Sequence, residues 1–242
     1  MTEADWLTGT NFTVHVQYVC GQLTARRQRL LAAGFCRAVK HLFDHPDLSA
    51  ALPVIEDYAD GLAPAAELEK VRQRCRVIAV EANNAANTAV EKGTKDQLKH
   101  WLRHELAWTV AFAATGPVPV ADVGTRAAAA AVQARTGAEL MAPVPQDEFD
   151  AATAEQALVM RGVVWEVVGN PFRTVMFSPS WRTNTAVTLA RQMYQSRDFS
   201  AMPILADALQ DAGCANDDML NHCRNPGEHI RGCWVLDCVL GK

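Results

Sequence analysis

The stretch TARRQRLLAAGFCRAVKHLF, residues 24 to 43, places Leu31, Phe35, Ala38, Val39 and Leu42 along one side and Arg26, Arg29, Arg37 and Lys40 along the other. That spacing is the 3.6-residue period of an α-helix, and no two-residue alternation competes with it. Thr24 stands where a helix wants an oxygen to take the first free backbone N–H groups. An amphipathic helix with a basic outer face is therefore expected, and the same period recurs on both sides of it.

Upstream, NFTVHVQYVCG at 11 to 21 carries two patterns. Val14, Val16 and Tyr18 alternate like a strand, while Phe12, Val16, Val19 and Cys20 make a helix face; it is read as helix. Downstream, DLSAALPVIEDYADG at 47 to 61 reads as a shorter helix with Asp47 near its cap, Pro53 inside it and Gly61 after its last turn. A long helix is expected from Pro64 to Glu91, with Leu68, Val71, Cys75, Ile78, Ala82 and Ala86 on one stripe. The small residues of its second half would let another helix approach closely. From Lys95 to Ala114 a further helix places Leu98, Trp101, Leu102 and Trp108 together, with Thr94 as its cap and Glu105 amid the apolar positions.

AAAAAVQA at 127 to 134 and FDAATAEQALVMRGVVWEVV at 149 to 168 add two helices, separated by GAELMAPVPQ, the best linker candidate. GNPFRTVMFSPSW at 169 to 181 resists a helical reading, because its N-P and S-P steps and β-branched run favour turn or extended backbone. Three short helices follow, in TNTAVTLARQMYQ, PILADALQDAG and DDMLNHC. HIRGCWVLDCVL at 229 to 240 is apolar nearly all round and reads as a buried terminal helix or strand. The fold class is all-α: a compact multi-helix protein with one irregular or extended segment near 169–181. A single domain over 1–242 is expected, with a possible sub-boundary at 142–147.

The chain has 242 residues, 49% of them hydrophobic, enough for a core that needs no staples. A formal net charge of -4 gives no basic field to hold nucleic acid. The N-terminus MTEADWLTGT lacks a signal-peptide pattern, and no segment offers about 18 unbroken apolar residues. A cytoplasmic protein without a membrane partner is expected, its seven cysteines held as thiols.

Several strings together carry a resemblance: MTEADWL at 1 to 7, YADGLA at 58 to 63, GNPFR at 169 to 173, PILADALQDAGC at 203 to 214 and HCRNPGEHIRGCWVLDCVLGK at 222 to 242. They resemble a group of uncharacterised bacterial proteins with a WL-containing N-terminus and a GNPFR, LADALEDAGC, HCR, HVRGCWVVDLLLGK tail. The likeness is loose near the N-terminus and close over the tail. It implies a discrete fold, no established activity and, because the group has an apolar residue where this chain has Cys238, no ligand role for that cysteine.

The tail supplies the sharpest chemistry. His222, Cys223, His229 and Cys233 offer the imidazole and thiolate donors that zinc takes. Against that, His222 and Cys223 are adjacent, and Cys233 reads as lying inside an apolar helix. The leading expectation is thus no cofactor, with zinc at those four residues as the alternative. A cysteine nucleophile built from Cys223, a histidine and Asp237 is disfavoured, since adjacent side chains on a helix point about 100° apart. Glu105 and Asp237 are carboxylates on faces that look buried, and each needs a proton or a cation. Arg173, Arg224 or Arg231 are the expected partners. The six tryptophans read as core anchors.

No phosphate-binding loop, G-x-G-x-x-G, H-E-x-x-H or G-x-S-x-G is present. The expected function is a non-enzymatic module that binds another protein, with regulation as one role it could serve. The alternative is an enzyme with a metal-assisted or acid–base site built from the GNPFR loop and the HCR/HIRGCW segment. In either case the polar tail cluster of Asn170, Arg173, His222, Arg224, His229, Arg231 and Asp237 is the candidate binding site.

Overall fold

The protein is all-helical: the computed structural model describes residues 1–137 and 144–242, and among them it has twelve α-helices, two single 3-10 turns and no strand. Residues 138 to 143 of the expected linker, and with them part of the sub-boundary at 142–147, lie outside the described residues. The chain divides into two compact units, Glu3–Val164 with Met1 and Trp165–Lys242 with Thr2.

The N-terminal unit begins with α1 (Glu3–Thr8) and α2 (Phe12–Cys20), the second opened by Asn11, whose side chain accepts from the Thr13 N–H. Helix α3 (Ala25–Ala38) is capped by Thr24, which accepts from the Arg27 N–H. Every residue of α3 from Arg29 to Cys36 is buried, because α4 (Pro46–Ala59), α6 (Gln97–Ala113) and α7 (Val120–Thr136) all pack on it. The basic outer face expected there is only partly present: Arg29 is buried and Arg26 and Arg37 are half-buried, while Lys40, just past the helix, is exposed. Its arginines turn inward instead. Arg29 Nη1 donates to the Ala113 carbonyl at 2.9 Å and its guanidinium lies 4.9 Å from the Tyr58 ring centre. Arg37 grips the buried Glu56 with two donors, and Arg26 meets Asp60 at 2.7 Å. The long stem and planar fork of arginine make this possible where a shorter cation would be stranded.

Helix α5 (Ala65–Lys92) follows Pro64 and lays Leu68, Cys75, Ile78, Ala82, Ala86 and Ala89 into the core. It ends at Gly93, whose φ of 63° no side chain would favour. The Thr94 N–H then donates to the Ala89 carbonyl, so the threonine expected to open the next helix is used to close the previous one. Glu105 on α6 pairs with Arg126 of α7 at 2.7 Å. None of the three arginines expected from the sequence fills that role, because α7 packs directly on α6. Helix α8 (Gln146–Val168) completes the series, and the boundary between the units falls within it.

In the C-terminal unit, 169 to 183 is irregular except for one 3-10 turn at Pro179–Trp181. Helices α9 (Asn184–Ser196), α10 (Met202–Asp211), α11 (Asp217–Arg224) and α12 (Trp234–Leu240) follow. Their core gathers Met193, Met202, Leu205, Leu209, Leu220 and Val235, with the tail as its buried helix. Arg182 caps α12 by donating to the carbonyls of Val239 and Cys238 at 3.2 and 2.9 Å. Trp6 and Trp234 are buried, while Trp101, Trp108, Trp165 and Trp181 are half-buried. All seven cysteines are thiols. No helix among the described residues is long and apolar enough to cross a membrane.

Candidate metal centre

Three separate segments of the C-terminal unit bring their chemistry together. Glu166 stands on the last turn of α8, three positions before Gly169, which ends the helix region with a φ of 72°. His222 lies on the last turn of α11, a helix opened by Asn216 and followed by the Asn225-Pro226-Gly227 break. Proline at that position stops the helix, so the chain folds back and carries His229 toward His222. Gly232, with a φ of 97°, reverses the chain again. Cys233 then stands at the N-cap of α12. The expectation that Cys233 lies inside the helix is therefore corrected, and with it the argument that its position disfavours a ligand role.

The donors are close. His229 Nδ1 is 3.1 Å from Glu166 Oε1, while His222 Nε2 is 3.2 Å from Glu166 Oε2 and 3.2 Å from Cys233 Sγ. One donor atom from each of the four residues lies within 4.8 Å of every other. For zinc with bonds of about 2.0 to 2.3 Å, the edges of the donor tetrahedron are about 3.3 to 3.7 Å. With one Glu166 oxygen taken throughout, three separations, His229 Nδ1 to Oε2, His222 Nε2 to Oε2 and His222 Nε2 to Cys233 Sγ, are each 3.2 Å and fall just below that range, with every pair of donors within 4.8 Å. The Ile230 N–H donates to Glu166 Oε1 at 3.4 Å, and the His222 ring centre lies 5.1 Å from that of His229, edge-on, and 5.3 Å from that of Trp234, tilted. His229 Nε2 is buried without a hydrogen-bond partner.

Burial is deep: Cys233 is fully enclosed, Glu166 and His229 keep 7% of their side-chain exposure, and His222 keeps 17%. Burial is the largest influence on Glu166 and pushes its carboxyl up, but hydrogen bonds to His222 and His229, with their charge, outweigh it and hold the group at about 2. Burial, and then the neighbouring Glu166 carboxylate, push the Cys233 thiol well above its ordinary value. A dication among these groups would reverse the preference of that thiol, since a coordinated sulfur is a thiolate.

The other candidates lie differently. Cys223 is buried in the core, its thiol pushed up to about 12 by burial first and Glu166 second. One residue from His222 on the same helix, it points elsewhere. The Asn170 side chain accepts from the Phe172 N–H within its own turn. Arg173 is exposed and pairs with Asp218, and Arg224 is exposed and pairs with Asp207 and Gln210. Buried Arg231 lies 4.7 Å over the Tyr194 ring, and Asp237 is buried in α12. Of the seven tail residues, His222 and His229 are the two that meet in this centre. Glu166 is the donor missed from the sequence; as a lone carboxylate in VVWEVV it shows the same signal that singled out Glu105 and Asp237.

Comparison with known proteins adds no assignment to this geometry. No family model, curated protein or solved structure matches the chain.

Proposed function

We propose that the C-terminal unit binds a transition-metal dication, zinc by its donor chemistry, at Glu166, His222, His229 and Cys233, and that the protein is a non-enzymatic helical module whose tail this ion locks. The observation that carries this reading is the convergence of two imidazoles, a carboxylate and a thiol from three segments of chain. Calcium and magnesium ask for oxygen donors, whereas this mixed nitrogen, sulfur and oxygen set suits zinc. Four protein donors complete a tetrahedron and leave no open position for a substrate, which favours a structural ion over a catalytic one. Recognition of another protein, the task expected from the sequence, is the role assigned to the module so held.

Elemental mass spectrometry of the untagged chain tests the reading, together with the visible spectrum after cobalt substitution. About one zinc per chain is expected, and a cobalt spectrum of a four-coordinate site with a thiolate charge-transfer band. His222→Ala and Cys233→Ala should each empty the site, while Cys223→Ala should keep it. A folded wild-type chain that takes up neither metal, or a His222→Ala variant that holds zinc like the wild type, overturns the proposal.

A further inference from the structure

The His222 imidazole is the least enclosed of the four donors, keeping 17% of its side-chain exposure, and its Nε2 faces both Glu166 and Cys233. In most metal sites a ligand imidazole is held at its working angle by a hydrogen bond from its second ring nitrogen. Among the described residues no protein group bonds His222 Nδ1. The torsion that turns the ring is broad and two-fold, so its setting falls to whatever packs against the ring.

Two rings do so. That of His229 has its centre 5.1 Å away and belongs to a fellow ligand. The indole of Trp234 has its centre 5.3 Å away at an interplanar angle of 58°, and its nitrogen is a hydrogen-bond donor with no lone pair for a metal. Trp234 is 7% exposed and follows Cys233 directly in the chain. Gly169, three residues after Glu166, closes on the same indole: a Cβ there would stand 3.1, 3.2 and 3.3 Å from three of its ring atoms. One side chain thus lies against His222, packs on the turn that follows Glu166 and is joined by a peptide bond to Cys233.

We infer that Trp234 is the positioning residue of the metal centre: its indole fixes the His222 ring at the angle that closes a four-coordinate shell and keeps water out of it. The inference rests on the metal reading and adds the group that sets the geometry. Without the indole the most exposed donor is free to turn, and water reaches the ion as a further ligand.

Visible spectra of the cobalt-loaded full chain, with zinc affinity measured by competition against a chromophoric chelator, test it. Trp234→Leu should lose most of the intensity of the four-coordinate cobalt bands and bind zinc about 10- to 100-fold more weakly, the usual effect of removing a group that orients a ligand. Trp234→Phe, which keeps a ring against His222, should restore the bands. Gly169→Ala meets the same indole from the backbone and should weaken the bands too. Its φ of 72° strains any side chain, so Gly213→Ala is the control: Gly213 has a φ of 86°, and a methyl there meets nothing within 4 Å. Gly213→Ala should keep the wild-type spectrum. Should Trp234→Leu fail to fold, the two glycine variants decide. The inference alone is overturned by a wild-type spectrum in folded Trp234→Leu, by an equal loss in Trp234→Phe, or by Gly169→Ala and Gly213→Ala spectra that do not differ. A folded wild-type chain that binds no cobalt overturns the metal reading and this inference together.

Discussion

Cys223 and Cys233 are buried thiols ten residues apart, yet the turn at Gly232 gives them opposite tasks. Cys223→Ala should keep the metal and cost about 1 to 2 kcal/mol in urea unfolding for the small cavity it leaves. The sequence singles out the two histidines and the cysteine that the structure brings together, but it cannot tell which of two thiols faces them. The choice depends on where α12 begins, and one residue of shift turns a side chain by about 100°. A second residue-level expectation concerns Arg29. Arg29→Lys should lower stability by about 1 to 3 kcal/mol, because an ammonium cannot both reach the Ala113 carbonyl and lie flat over Tyr58. Asp44 supplies a pH effect. Its carboxyl is held below the usual range chiefly by the hydrogen bond from Arg103, against burial and with the charges of Arg103 and Lys99 adding to it. A depressed carboxylate contributes stability above its unfolded value of about 3.9 and loses it as pH falls through the lower folded value. Arg103→Met should therefore be slightly less stable than the wild type at neutral pH, by under about 1 kcal/mol for so exposed a pair, and the difference should close below about pH 4.

At the scale of helices, close approaches decide what a position tolerates. A methyl added to Gly124 of α7 would meet the Phe12 and Phe35 rings at 2.9 and 3.0 Å, so α7 could no longer lie against α2 and α3 as it does. Gly124→Ala should cost about 1 to 3 kcal/mol, read as a lower urea midpoint. The helices themselves were legible: the 3.6-residue period located α3, α5 and α6, and the turn chemistry of GNPFRTVMFSPSW located the irregular segment. Which face of each helix turns inward was less so. The arginines of α3 read as solvated because periodicity reports only which residues share a side, and the middle of α3, from Arg29 to Cys36, is buried all round. Thr94 misled for a related reason, since a threonine between two helices can serve the end of one or the start of the other.

For the molecule as a whole, a metal confined to one of two compact units should stabilise that unit alone. Scanning calorimetry of the zinc-loaded chain and of the chelated chain should show one transition moved to lower temperature and a second one unchanged. Free zinc at about a thousand times its dissociation constant adds about 4 kcal/mol to the folded state, enough to separate the two transitions clearly. A different consequence follows from the spacing of Glu166, His222, His229 and Cys233. Three of the donor separations already come within a few tenths of an ångström of what a small four-coordinate ion requires, and all lie within 4.8 Å. Folding has thus assembled the cage in advance, and it is enclosed on nearly every side. Loaded with the proposed ion, such a cage would exchange it slowly: occupancy would be settled by which metal is present when the chain folds, and afterwards by how rarely the tail opens, so the residence time would outlast changes in the surrounding metal pool.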